Sequence, residues 1–211
     1  MTPQEQTNTH GNIEALGLPE QPHRVLVVDD ELLVAKGIMA SLQSMGFEPV
    51  GPCKNGEEAM QACHEDKPDI VIMDIQMPVM DGMEAAQIIF TEHDIPVVML
   101  TAYSDDTYLQ NCVAAGVFGF LLKPASGEQL SAGIAVAWQR FLDHVEQRSQ
   151  IVNLQQRLED RRLIEKAKWI IVKRKEISEP DAMKMLQMQS RNSRKSIAKV
   201  ARAVIDSDGL L

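Results

Sequence analysis

The sequence predicts a parallel α/β domain joined by a long helix to a small all-helical module. Three observations lead to that reading. Short apolar runs alternate with helix-like segments five times between Arg24 and Lys123, the pattern of strands buried on both faces and crossed by helices. Each of four runs ends in a polar group: Val25–Val28 leads into Asp29 and Asp30, Ile70–Met73 into Asp74, Pro96–Leu100 into Thr101, and Phe118–Leu122 into Lys123. From Gly127 to about Ile177 there is then no proline and little turn signal, so one helix is expected to carry the chain into a second module.

The elements follow in order. Residues 1–22 are rich in Gln, Thr, Asn, Gly and Pro without periodicity, the composition of a disordered leader. Val25–Val28 is the first strand. A helix is expected from about Leu32 to Met45, with Leu33, Ile38 and Leu42 on its inner face and Gly46 as its stop. Phe47–Val50 reads as a short second strand, Gly56–Glu65 as a helix ended by Lys67 and Pro68, and the run to Asp74 as the third strand. A loop from Gln76 to Gly82 leads into a helix over about Met83–Phe90. After the fourth strand, Ser104–Ala115 is expected to be helical, with Ser104 and Asp105 suited to cap its start and Gly116 ending it before the fifth strand.

In the long helix, apolar residues recur at Leu130, Ile134, Ala137, Phe141, Val145, Val152, Leu154, Leu158 and Ile164, with a lapse around Arg148–Gln150. Ser131–Leu158 therefore reads as a coiled coil that pairs two chains, in preference to a helix packed on its own protein. Ile177 to Asp181 is a new helix start, with Ser178 as N-cap, Pro180 near the first turn and acids suited to the helix dipole. Ala182–Ser190 and Ser196–Ile205 complete the second module. The expected domains are a leader over 1–22, an α/β domain over 23–130, a linking helix over 131–158, and a three-helix domain over 155–206.

Charge divides the chain in the same place. Residues 138–211 hold 16 basic and 10 acidic groups, a net +6, whereas residues 1–137 carry −15. Such asymmetry points to two modules with different partners, the basic one being compatible with an acidic polymer. No apolar run is long enough to span a bilayer, and Met1–Gln21 lacks an apolar signal core, so a cytoplasmic protein without membrane contact is expected. Cys53, Cys63 and Cys112 fall outside any C-x-x-C spacing and read as idle thiols.

In a parallel sheet the strand ends that carry Asp29, Asp30, Asp74, Thr101 and Lys123 lie on one edge, where ligands bind. Carboxylate oxygens are the ligands that Mg²⁺ prefers, and Asp29, Asp30 and Asp74 can supply them. Asp74, at its strand end, is the natural nucleophile to become an aspartyl phosphate. Lys123 can pair with the phosphoryl oxygens and Thr101 can hydrogen-bond them, while Ala102 leaves the entrance open. Taken singly these are helix caps and turn residues; the whole set, in order, is equipment for phosphoryl transfer.

At this point the sequence resembles the receiver domain of two-component response regulators over about Arg24–Arg140. The matching motifs are Asp29-Asp30, Asp74 followed by Met77-Pro78 and Asp81-Gly82, Thr101-Ala102, and Lys123-Pro124. The resemblance implies a flavodoxin-like doubly wound sheet, a sensor histidine kinase as phosphoryl donor, and Mg²⁺ as cofactor. It also implies a switch in which Thr101 moves toward the phosphoryl group and Phe120 turns inward, reshaping the face around the fifth strand and its flanking helices. Gln76 and Tyr103 stand at positions that tune phosphoryl lifetime in that family.

The C-terminal stretch is similar to the ANTAR domain of transcription antitermination regulators. The likeness rests on Arg161, then Ile164-Glu165-Lys166-Ala167-Lys168-Trp169, Ser178-Glu179 with Ala182, and the run from Ser190 through Asn192, Lys195 and Val200-Ala201. It implies a three-helix module that binds hairpins in leader RNA and keeps a terminator from forming. Arg161, Lys168 and Lys195 align with family positions, and Arg191 and Arg194 are added as candidate contacts on charge. Trp169 departs from the pattern, standing where the family usually has glycine. It either stacks on a base or packs against another helix, and packing is the stronger expectation.

Two other outputs are compatible with a receiver. A DNA-binding regulator needs a helix-turn-helix with a short turn, which Lys173–Ser178 does not resemble. A protein-binding adaptor, switched by phosphorylation, stays open. A stand-alone enzyme is not expected, since no catalytic constellation lies outside the phosphoryl cleft.

Overall fold

The structure, a computed structural model, describes residues 18–102 and 115–208. Five parallel strands form one sheet: β1 (Arg24–Val28), β2 (Glu48–Cys53), β3 (Ile70–Asp74), β4 (Val97–Thr101) and β5 (Val117–Leu122), in the order β2-β1-β3-β4-β5. The described helices are α1 (Leu32–Ser44), α2 (Gly56–Asp66), α3 (Gly82–His93), α4 (Gly127–Lys175), α5 (Glu179–Ser193) and α6 (Ile197–Asp208). The expected helix over 104–115, with Tyr103 and Cys112, lies outside the described residues up to position 114.

Alternation along each strand sorts the core into two layers. Val25, Val27, Ile70, Ile72, Val98 and Leu100 face Ala35, Ile38 and Leu42 of α1 together with Leu130, Ile134, Ala137 and Phe141 of α4. Leu26, Val28, Val71, Met73, Val97 and Met99 face Ala59 and Cys63 of α2 together with Ala85, Ala86 and Ile89 of α3. Every one of these strand residues is fully buried, which is why the strands read as unbroken apolar runs. Strand order reverses between β1 and β3, so their carboxyl ends flank the crevice where an α/β sheet binds ligands.

Three local expectations change. Leu33 is 87% exposed; Ala35 takes the inner position, because it lies three and seven residues from Ile38 and Leu42 and Leu33 falls on another side of the helix. β2 runs on through Gly51 and Pro52 to Cys53, past the expected end at Val50. It is an edge strand, where proline is tolerated, and Gly51 holds φ +98 at a register shift opposite Leu26–Val28. The end of the leader is ordered: Leu18 packs on the first core layer, and the Trp138 indole donates to the Glu20 carbonyl at 3.2 Å.

α4 is one 49-residue helix, but its apolar residues have more than one use. Leu130, Ile134, Ala137, Phe141 and Leu142 are buried in the first core layer, so the chain divides into compact units between Glu146 and Gln147. Ile151, Val152, Leu154 and Leu158 are exposed. The start of the span expected to pair with a second chain is thus covered by its own domain, leaving a shorter seam. The C-terminal unit closes around Ala167, Ile171, Ala182, Leu186, Val200 and Ala201. Its helix start is as expected, with Ser178 Oγ accepting from the Asp181 amide and Pro180 in the first turn.

Candidate functional site

The acidic cleft forms where β1 and β3 end. Asp29 follows β1 and is buried, and its Oδ1 accepts from the Glu31 amide at 2.9 Å. Asp74 closes β3, is nearly buried, and its Oδ1 accepts from the Gln76 amide at 3.4 Å. Asp30 is exposed. The three carboxylates can bring ligand oxygens within 4.8 Å of one another. That is a hard oxygen donor set with an open side, and it suits Mg²⁺, which keeps several waters.

Lys123 projects into the cleft from the end of β5. Its Nζ lies 2.6 Å from Asp29 Oδ2 and 2.8 Å from Asp74 Oδ2. Burial alone would lower its pKa, but hydrogen bonds and charge from Asp29 and Asp74 prevail and raise it above the ordinary lysine value. One ammonium faces three carboxylates, so the cleft is short of positive charge, as a cation site should be. The Lys123 amide donates to the Thr101 carbonyl at 2.8 Å, fixing the ends of β4 and β5 side by side. Thr101 is half-buried, Ala102 exposed, and Phe120 half-buried against the second core layer.

Gly82 positions Asp74 in a way the sequence motif alone does not explain. Its amide donates to the Ile75 carbonyl at 2.9 Å, and a Cβ there would lie 2.1 Å from the Asp74 carbonyl oxygen. Only glycine lets the capped start of α3, where Asp81 Oδ1 accepts from the Glu84 amide, approach the end of β3 so closely.

In the output domain the candidate contacts separate. Arg161, Arg191, Arg194 and Lys195 are exposed. Lys168 is buried, its Nζ 2.6 Å from Glu179 and 2.9 Å from Glu165. These partners, Glu179 first, raise its pKa. It ties the start of α5 to α4 and is not a free cation for a ligand. Trp169 is 62% exposed, against the expectation that it packs. Ala167 and Ile171 face the core, and a residue two places from either points away from it.

Fold and cleft together are those of a receiver domain. Residues 25–135 match the response regulator receiver domain, and residues 152–205 match the ANTAR domain. The chain belongs to the response regulators, with an ANTAR domain as its output half. It is 35% identical over 188 residues to the transcriptional regulatory protein PdtaR of Mycobacterium tuberculosis, a match covering 89% of this chain and 92% of the relative. Among solved structures it resembles the signal receiver domain of a modulated diguanylate cyclase from Desulfovibrio desulfuricans G20, at 29% identity and TM-score 0.52 over 59% of this chain and 99% of that one. It also resembles a DNA-binding response regulator of the LuxR family from Staphylococcus aureus, at 27% identity and TM-score 0.51 over 55% of this chain and 98% of that one. Among the described residues no helix is long and apolar enough to cross a membrane.

Proposed function

We propose that the protein accepts a phosphoryl group on Asp74 from a sensor histidine kinase and thereby acts as a transcription antiterminator that binds hairpins in leader RNA. The observation that carries the reading is the contact of Lys123 with both Asp29 and Asp74, in a chain whose other half matches an ANTAR domain. An Asp74 oxygen attacks the phosphorus of the donor phosphohistidine. The new O–P bond replaces the N–P bond, and the imidazole leaves with that electron pair. Asp29, Asp30 and Asp74 would hold Mg²⁺, which supplies charge neutralisation at the transferring group. Lys123 exchanges its contact with Asp74 for one with a phosphoryl oxygen. Thr101 donates its hydroxyl proton to another, and Phe120 turns inward behind it. The protein catalyses nothing beyond its own phosphoryl acceptance and loss.

In this reading phosphorylation favours a homodimer, through the receiver face or the exposed seam at Ile151, Leu154 and Leu158. Two tethered output domains can raise avidity about 10²–10⁴-fold without a new contact. The test is a filter-binding titration against two-hairpin leader RNA and matched duplex DNA, with and without a phosphoryl donor and Mg²⁺. RNA-selective binding that strengthens on phosphorylation, and is weak in Asp74→Asn, is expected. Equal RNA binding by phosphorylated wild type and Asp74→Asn would remove the coupling. Preference for duplex DNA would indicate a DNA-binding regulator. Failure to bind either polymer would favour a protein-binding adaptor using the exposed seam.

A further inference from the structure

We infer that Trp169, between Lys166 and Lys173, is a stacking site for an unpaired RNA base, which puts a nucleic-acid face on the outer side of α4. The inference rests on the RNA-binding reading above and names a contact it would use. An indole 62% exposed is unusual for the largest apolar side chain, and the helical core closes without it. Lys166 lies three residues before it and Lys173 four after, so all three share one helix face. They border an open cleft of about 630 Å³ with Ile170, Arg174 and Asp208.

The charges there are not balanced. Asp208 is paired with Arg174 at 3.0 Å, and Glu165 with Lys168 at 2.9 Å, whereas Lys166 and Lys173 have no ion pair among the described residues. The cleft therefore offers an aromatic surface inside uncompensated positive charge. A second copy placed symmetrically on this face would set its lysines against their own equivalents, and like charges repel. A paired duplex presents phosphates but no open base face. A single-stranded loop presents both phosphates and unstacked bases.

The test is binding of a hairpin RNA pool with a randomised loop, and of fully paired RNA of the same length, by the full chain. Trp169→Ala should weaken loop binding roughly 5- to 140-fold, the equivalent of ~1–3 kcal/mol for a stacked base. Trp169→Phe should stay within a few-fold of wild type. Replacing Lys166 and Lys173 by alanine should weaken binding to both RNAs and flatten the salt dependence. Thermal unfolding of Trp169→Ala should match wild type. Wild-type affinity in Trp169→Ala would overturn the inference while leaving the RNA reading intact. Loss of self-association in sedimentation with unchanged RNA affinity per dimer would overturn it in favour of a second copy. Absence of RNA binding by wild type would remove the functional reading and this site with it.

Discussion

Replacing Lys123 with methionine should destabilise the metal-free receiver and make its stability depend strongly on Mg²⁺. The Lys123 ammonium lies 2.6 Å from Asp29 and 2.8 Å from Asp74. Each contact has a gross Coulomb energy of ~6 kcal/mol at an effective dielectric of about 20, and desolvation of the charges offsets much of it. Removing one member of a buried ionic group costs ~3–5 kcal/mol. Lys123 keeps 17% of its side chain exposed, which places the expected loss lower, at ~2–3 kcal/mol or about 8–12 °C in melting temperature. The assay is thermal unfolding of wild type and variant with and without Mg²⁺. A cation at about a hundred times its Kd adds ~2.7 kcal/mol. In the wild type it must compete with Lys123 for the same oxygens, and in the variant it does not, so the gap should narrow by more than half. The pH dependence has a definite sign. Because the folded-state pKa of Lys123 is raised, its contribution is complete below the ordinary lysine value and is lost only as pH climbs through the higher folded value. A gap that Mg²⁺ leaves unchanged would refute the idea that Lys123 and the cation share Asp29 and Asp74.

Other outcomes follow from the same geometry. Gly82→Ala would place a Cβ 2.1 Å from the Asp74 carbonyl oxygen; it should cost ~2–3 kcal/mol of stability and slow phosphorylation by a small phosphoryl donor, both read against wild type. Burial pushes the Cys53 and Cys63 thiols up to about 11 and about 12, so in a Cys112→Ser background a disulfide reagent at neutral pH should label neither until the protein unfolds. Ser178→Ala removes the cap on α5 and should lower the stability of the helical domain by ~1 kcal/mol in chemical denaturation. Lys168→Gln should also lower it, by freeing the start of α5 from α4, and alkaline titration should reproduce that loss in wild type as Lys168 gives up its proton.

The receiver was legible because its signals are redundant. Asp29, Asp74, Thr101 and Lys123 each follow an apolar run, and strand alternation alone brings them to one sheet edge. What could not be read needed a partner distant in sequence. Leu33 looked like an inward residue until Ala35 proved to complete the stripe with Ile38 and Leu42. The expected second strand stops at Val50, and its place at the sheet edge is what lets it run on through Pro52 to Cys53. Lys168 reads as a candidate RNA contact, and only the turn at Ile177 brings Glu179 to within 2.6 Å of it. Gly82 carries a motif signal, but its reason is a backbone approach that no sequence displays. Trp169 is the clearest case: its departure from the family pattern was visible, and only the position of the core around Ala167 and Ile171 decided between packing and exposure.

The division of α4 bears on how the proposed switch would work. The apolar repeat runs from Leu130 to Leu158 with one lapse around Arg148–Gln150, and a seam of that length would hold two chains together whatever the state of Asp74. The receiver buries Leu130, Ile134, Ala137, Phe141 and Leu142, and the output core claims the helix again from Ala167. What remains for a partner chain is the stretch around Ile151, Leu154 and Leu158, about one heptad, where isolated helices and their pairs are marginal in water. A marginal seam is the kind that a coupling energy of ~1–3 kcal/mol can shift between mostly open and mostly paired. The same helix supplies residues to both cores, so the receiver and the output domain each limit how much of it is free to pair. In the proposed switch, phosphorylation at Asp74 would need only to favour pairing at the receiver face or ease access to this short segment, and the avidity of two output domains for one RNA would supply the rest.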